Sequence, residues 1–181
     1  MKTHGCQIFL FLIVFILSSF SACEEPDPTV LPAETQSGKN TFGCYVNNEL
    51  YVGGFSNLMG PNSLNATYNK KLNYISIESY GVVNNIYGQS IVVTAYSLKI
   101  DSIMAIELGY FYPNDMRFSY PYYTVKKSGE IYFTRLDTIK KIVSGRFQFT
   151  AKSASSIDRL EGNDTVKITN GRFDLVLTIN E

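Results

Sequence analysis

Histidine and cysteine are scarce in this sequence. His4 is the only histidine, so residues 5–181 contain no imidazole. Its absence excludes Ser-His-Asp and Cys-His nucleophilic catalysis, imidazole general-base chemistry and histidine-dependent zinc sites from that stretch. Cys6, Cys23 and Cys44 are the only cysteines, and no paired-cysteine metal motif, glycine-rich phosphate loop or EF-hand loop is present. We therefore predict no catalytic residue, no metal site and no cofactor.

An excess of charge of either sign is also missing. The 181 residues contain 16 Lys and Arg against 16 Asp and Glu. Nucleic acids are bound through an excess of basic groups, so no nucleic acid is predicted as a partner. Tryptophan is absent, yet aromatic residues make up 14% of the chain, and all 13 tyrosines lie within residues 45–132. This enrichment in tyrosine is typical of a strand-rich domain.

The N-terminus has the three parts of a secretory leader. Lys2 supplies a positive charge, residues 8–17 form an unbroken apolar run, and the small residues Ser21 and Ala22 precede Cys23. The apolar run is too short to span a bilayer. Small residues at these positions let the chain lie extended in a peptidase cleft. The pattern predicts a signal peptide over residues 1–22.

Cys23 follows this small pair as in the lipobox of bacterial lipoproteins, which the sequence resembles, although Phe20 stands where the pattern prefers an aliphatic residue. The resemblance implies that Cys23 carries a diacylglycerol that anchors the protein in the outer membrane. Glu24 and Glu25 resemble the signal that sends Bacteroidetes lipoproteins to the cell surface. They are equally explained as solvated linker charges, which would leave the protein on the periplasmic face.

Residues 23–40 are interpreted as a lipidated cysteine and a disordered tether, because they contain three prolines, few apolar residues and no periodicity. Residues 41–181 then form a single domain, which matches the usual domain size. If Cys23 is acylated, Cys44 has no disulfide partner. We expect Cys44 to be a small buried residue, because no cation stands beside it to lower its pKa.

The domain is predicted to be all-β. Its apolar residues recur with period two or in short runs, as in the strand at residues 143–152, which places Phe147 and Phe149 on one face. Residues 72–79, 91–98 and 105–112 are apolar on both faces and are predicted to be central strands. About nine or ten antiparallel strands are expected to form a β-sandwich, with a partly closed up-and-down barrel as the alternative.

Three turns are predicted to join neighbouring strands. Asn170-Gly171 is the strongest hairpin signal, because both residues tolerate the positive φ of a type I′ turn. Further hairpins are predicted at Asn47-Asn48 and at Ser128-Gly129.

Tyrosines are densest in residues 110–123, beside Asn, Asp and Arg residues. Exposed aromatic rings with such neighbours can stack on sugar rings and hydrogen-bond to them. The alternative is ordinary cross-strand packing. The glycan-binding candidates are Tyr110, Tyr112, Tyr120, Tyr122 and Tyr123.

Two carboxylates offer a different chemistry. Glu78 and Glu107 interrupt otherwise apolar predicted strands, where an unpaired charge would be costly. Glycosidases use a pair of carboxylates a few ångström apart, so these two could serve as an acid and a base. Each could instead face solvent or pair with a Lys or Arg.

Three sites resemble the acceptor sequence for O-glycosylation of exported Bacteroidetes proteins. Ser102, Thr138 and Thr165 each follow an Asp and precede an apolar residue. An Asp-Ser or Asp-Thr turn before a strand is the alternative explanation.

Parts of the chain look like small Bacteroidetes lipoproteins of unknown function. Residues 31–47 (LPAETQSGKNTFGCYVN) are similar to their opening, and residues 144–151 (SGRFQFTA) and 168–174 (ITNGRFD) to their ends. The resemblance implies an envelope location and a β fold but no activity. We expect a non-catalytic surface module that binds a glycan, an envelope protein or another component. The alternatives are a small carboxylate-based glycoside hydrolase and a barrel that binds a small apolar ligand.

Overall fold

The computed structural model describes residues 27–54, 63–83, 86–113, 122–153 and 165–181. Within these ranges the chain forms eleven strands and no helix, which confirms the all-β prediction. No helix in this part of the chain is long and apolar enough to cross a membrane. The strands are β1 (Thr41–Val46), β2 (Glu49–Gly53), β3 (Leu64–Asn69), β4 (Tyr74–Val83), β5 (Ile86–Tyr96), β6 (Ile103–Ala105), β7 (Leu108–Tyr112), β8 (Tyr122–Asp137), β9 (Ile142–Ser153), β10 (Thr165–Val176) and β11 (Thr178–Asn180).

Eight of these strands are hydrogen-bonded in a ring. The order is β1, β2, β4, β5, β7, β8, β9, β10 and back to β1, and every pairing is antiparallel. β3 is antiparallel to β4, β6 is antiparallel to β8, and the short β11 pairs in parallel with β3. The single sheet therefore curls round one core. This arrangement is consistent with the predicted sandwich or partly closed barrel.

Phenylalanine rings fill the space inside the sheet. Phe147 lies at its centre, with ring centroids 5.1 Å from Phe42 and 6.3 Å from Phe173. Phe173 in turn lies 5.9 Å from Phe133. These rings are nearly or fully buried, and each contributes about 1.5–3 kcal/mol through burial. The alternation predicted for residues 143–152 is confirmed, because Phe147, Phe149 and their i±2 neighbours face this core.

The hairpin predicted at Asn47-Asn48 is confirmed. Both residues have a positive φ, of 49° and 72°, and they join β1 to β2. The hairpin predicted at Asn170-Gly171 is wrong. β10 continues through this pair, and Asn170, with a φ of 52°, is an extra residue in a β-bulge. A bulge uses the same left-handed conformation as a hairpin turn, so the two share a sequence signature.

The turn predicted at Ser128-Gly129 is also wrong. β8 runs through both residues, with a shift in its pairing to β9 between Thr124 and Gly129. The Ser128 hydroxyl donates to the carbonyl oxygen of Thr150 on β9 at 2.8 Å. The polar and glycine residues therefore mark an irregularity inside a long strand.

We predict that Gly171→Ala destabilises the fold. An added Cβ would lie 2.6 Å from the ring of Phe147, and neither the ring nor the paired backbone has room to move. The expected loss is about 1–3 kcal/mol of unfolding free energy, measured by urea denaturation. Asn170→Gly is the control, since it keeps the positive φ without strain and is expected to change stability by less than about 1 kcal/mol. Equal effects of the two changes would contradict the bulge geometry.

Candidate functional surfaces

Residues 32–40, named here the N-terminal strap, lie against the outside of the sheet. This differs from the predicted tether over residues 23–40, whose disorder was inferred from the scarcity of apolar residues. Polar contacts hold the strap instead. Its path over β1 is fixed where Pro32 covers Gly43, since a Cβ on that glycine would lie 2.5 Å from the proline ring.

The strap is held chiefly by Asp174 on β10. The carboxylate is almost fully buried. It accepts hydrogen bonds from the Thr35 hydroxyl and from the backbone N–H groups of Ser37, Gly38 and Lys39, at 3.0, 2.8 and 3.2 Å for the three amides. The Ser144 hydroxyl of β9 donates a fifth, at 2.7 Å.

The hydrogen-bond donors around Asp174 also determine the pKa of its carboxyl group. Burial by itself raises the pKa of Asp174, but the hydrogen bonds from Thr35, Ser144, Gly38 and Ser37 together outweigh it. The pKa of the carboxyl therefore lies below its ordinary value, and the ionised form is the one that the fold stabilises.

Arginines on three adjacent strands bind the rest of the strap. Arg172 on β10 donates through Nη1 to the Pro32 carbonyl at 3.1 Å, and Arg135 on β8 donates to the carbonyl of Gln36. Arg146 on β9 forms an ion pair with Glu34, with Nη2 to Oε2 at 2.6 Å. Glu34 is thereby placed over the outer face of the sheet.

An open groove of about 460 Å³ lies beside Glu34. We name it the strap groove. It crosses the outer face of β8, β9 and β10, and its volume lies within the range of small-molecule sites. Its polar lining is Glu34, Glu130, Tyr132, Arg146, Gln148, Asn170 and Arg172. Sequence analysis missed this site, although the polar outward positions of β9 and the acidic Asp174 in an apolar strand were available as signals.

A second surface covers the outer face of β4, β5 and β7. The pairing registers align Tyr74 with Tyr96, and Tyr80 with Ser90 and Tyr112. Tyr80 and Tyr96 are 48% and 49% exposed. The strands were predicted to be covered on both faces. On β4 and β7 only the inner face is buried, because the outward residues include tyrosines whose hydroxyl tips suit water, whereas on β5 the outward Ser90 and Thr94 are buried as well. We name the set the tyrosine face: Tyr74, Tyr80, Tyr96, Tyr110 and Tyr112.

Two of the predicted glycan-binding residues form an ordered pair on this face. The rings of Tyr110 and Tyr112 lie within 6° of parallel, with centroids 6.4 Å apart, and both are half-buried. Tyr74 and Tyr96 form another ring pair at 5.4 Å. Tyr96 and Ser90 mark the two ends of the tyrosine face on β5. They are six residues apart, so the face is about 20 Å long.

Tyr122, another of the predicted residues, is not part of this face. Tyr122 packs on Phe111 at 6.1 Å, beside the core. Tyr123 is opposite Tyr110 in the backbone register. Tyr120 lies outside the described residues, as does Cys23.

Glu78 and Glu107 are not brought together as a pair. Glu78 is in register with Val92, and Val92 with Tyr110, three residues beyond Glu107. Their backbones are therefore separated by about 10 Å across two strands and about 10 Å along them. Their carboxyl groups would therefore reach the separation of about 5–9.5 Å that glycosidases use only if both side chains extended towards each other.

The three predicted O-glycosylation sites have different settings. Thr138 is exposed on the turn after β8, where Asp137 caps the backbone N–H groups of Ile139 and Lys140. Ser102 is half-buried and donates to the carbonyl of Ile100 at 3.3 Å. Thr165 is half-buried at the start of β10.

The two titratable groups at the core have no access to solvent. Cys44 is fully buried and free, as expected, and burial raises the pKa of its thiol. Tyr51 is also fully buried, and burial raises the pKa of its hydroxyl, which lies 2.9 Å from the Ser79 carbonyl. Neither group is placed to act on a ligand.

In the part of the chain that the structure describes, no group of three His, Cys, Asp or Glu side chains is placed to hold a metal ion. No family model, no curated protein and no solved structure matches the chain. The two surfaces are therefore interpreted from their own chemistry.

We predict that Asp174→Asn releases the strap. The amide nitrogen would face donors, leaving hydrogen bonds unmade, so we expect a loss of at least about 2 kcal/mol of unfolding free energy. Trypsin should also cleave faster after Lys39. Asp101→Asn, at an exposed position, is the matched control and should leave both the stability and the cleavage rate nearly unchanged. Unchanged cleavage in Asp174→Asn would contradict the proposed role of the carboxylate.

The same carboxylate predicts an acid dependence of stability. Because the pKa of Asp174 is lower in the folded than in the unfolded chain, its contribution is complete above about pH 4. It is lost as the pH falls through the lower, folded pKa. In urea titrations below pH 5, the gap in stability between the natural protein and Asp174→Asn should narrow. A gap that stays constant with pH would show that the charge is not responsible.

Proposed function

We propose that this protein is a lipid-anchored, non-catalytic module of the cell envelope that binds a glycan through the tyrosine face. The observation that carries the proposal is the alignment of five half-exposed or exposed tyrosines on the outer face of three adjacent strands. Within it, Tyr110 and Tyr112 present parallel rings.

Sugar rings suit this surface because they have apolar C–H faces and polar edges. Tyrosine rings offer an apolar body for stacking and a hydroxyl for hydrogen bonding. Glu78, half-exposed between Ser76 and Tyr80 on β4, adds an acceptor for sugar hydroxyls. A face about 20 Å long, with ring pairs towards both ends, fits an extended chain of sugars better than a single sugar.

The alternatives receive less support. A carboxylate hydrolase needs its two acids close together, whereas Glu78 and Glu107 stand two strands apart. A small apolar ligand needs room inside the sheet, whereas the contacting rings of Phe42, Phe147 and Phe173 occupy that space. The exposed aromatic surface on the outer face of the sheet favours the binding module.

We predict that Tyr112→Ala weakens glycan binding at least tenfold, because it removes one ring of the parallel pair. The measurement is affinity electrophoresis through gels that contain a panel of soluble polysaccharides, followed by calorimetry on the best ligand. For comparison, a nucleic acid base that stacks on an aromatic side chain contributes about 1–3 kcal/mol of binding free energy, and tenfold weaker binding lies within that range. Tyr45→Ala, a half-buried tyrosine of β1, is the control and should bind normally.

Failure of the natural protein to bind any polysaccharide of a broad panel would overturn the proposal. So would equal losses in Tyr112→Ala and Tyr45→Ala, which would indicate a general effect on folding.

The proposed anchor has its own test. We expect Cys23 to be labelled by radioactive palmitate in growing cells, and Cys23→Ser to lose both the label and the membrane association. Proteinase treatment of intact cells then separates the cell surface from the periplasmic face. Membrane association of an unlabelled Cys23→Ser protein would exclude the lipid as its cause.

A further inference from the structure

We propose that the strap groove binds a ligand that carries a carboxylate, such as an acidic sugar, and that Glu34 occupies the place of that carboxylate in the free protein. The site is separate from the tyrosine face, since it lies on β8, β9 and β10.

The geometry of the Glu34 and Arg146 pair supports this proposal. One carboxylate oxygen, Oε2, accepts from Arg146 Nε at 2.8 Å and lies 2.6 Å from Nη2. Both nitrogens therefore contact a single carboxylate oxygen, and this is not the two-oxygen fork with which arginine binds a carboxylate most strongly. The side chains of Arg146 and Glu34 are 60% and 42% exposed, respectively, and exposed ion pairs are weak. An external carboxylate can therefore replace Glu34 at little cost.

The incomplete hydrogen bonding of the Arg172 guanidinium also supports the proposal. Its Nη1 donates to the Pro32 carbonyl, but its Nε is buried and has no hydrogen-bond partner in the described part of the chain. Buried donors are rarely left unmade. Two guanidinium groups therefore line the groove: Arg146, which is paired with Glu34 of the strap, and Arg172, which contacts the strap through Nη1 and has an unpaired Nε within the described residues.

The remaining residues that line the strap groove indicate which kind of ligand fits it. Tyr132 and Gln148 supply neutral hydrogen-bonding groups suited to hydroxyls. Glu130, which accepts from Gln148 at 3.3 Å, places a negative charge in the same groove. That charge disfavours ligands with many anionic groups. A small ligand with one carboxylate and several hydroxyls fits both features.

Glu34 can leave without dissolving the strap. The next residue, Thr35, and the amides of Ser37 to Lys39 remain held by Asp174, which is buried. Exchange at Arg146 is therefore a side-chain movement in front of a fixed backbone.

The test is calorimetric titration of the whole protein, purified in mild detergent, with galacturonic acid and with its methyl ester. We expect the acid to bind and the ester to bind at least tenfold more weakly. Arg146→Gln should lose binding of the acid, and Arg146→Lys, which keeps the charge without the planar guanidinium, should weaken it. Lys152→Gln removes an equal charge from an exposed position of the same strand and should have no effect.

Glu34→Gln is the decisive variant. Because it removes the internal competitor, binding of the acid should tighten about two- to fivefold, the range expected for release from an exposed ion pair. Weaker or unchanged binding in Glu34→Gln, equal binding of acid and ester, or no binding of the acid by the natural protein would each overturn the proposal. Tyr112→Ala should leave this titration unchanged, so its outcome is independent of the tyrosine face.

Discussion

A buried carboxylate is stable only where donors surround it, and Asp174 imposes this requirement on the whole N-terminal side of the domain. Four of its five hydrogen bonds come from the strap. The strap must therefore follow one path across β10 and β9. That path brings Glu34 beside Arg146 and forms one wall of the strap groove. One electrostatic constraint thus fixes a segment whose composition alone indicates disorder.

The fold was predictable where local pattern and tertiary setting agree. Alternation in residues 143–152 reported a strand with one buried face, and Asn47-Asn48 reported a hairpin. Asn170-Gly171 failed because the left-handed φ of Asn170 serves a turn and a bulge equally well. What decides between them is the strand alongside, since β1 and β9 pair with β10 on both sides of the extra residue. A single-sequence pattern does not contain that information.

The candidate sites divide in the same way. Tyr110 and Tyr112 were predicted because they are close in the sequence, whereas Tyr74, Tyr80 and Tyr96 join them only through the registers of β4, β5 and β7. The strap groove was not predictable, since Glu34 and Arg146 are 112 residues apart. Both features depend on strand pairing and tertiary contacts, which a single-sequence pattern does not contain.

The ring also separates the two surfaces. β5, in the middle of the tyrosine face, and β10, under the strap, are four steps apart in either direction round the eight-stranded ring, so they lie on opposite sides. Under the proposed anchor, Pro32 is nine residues from the lipidated Cys23, a reach of about 30 Å at most. Since the strap is fixed to the sheet, it is the strap side that this short connection keeps near the membrane. Under these proposals the tyrosine face would point away from the lipid, towards an approaching glycan, and the strap groove would lie close to the membrane.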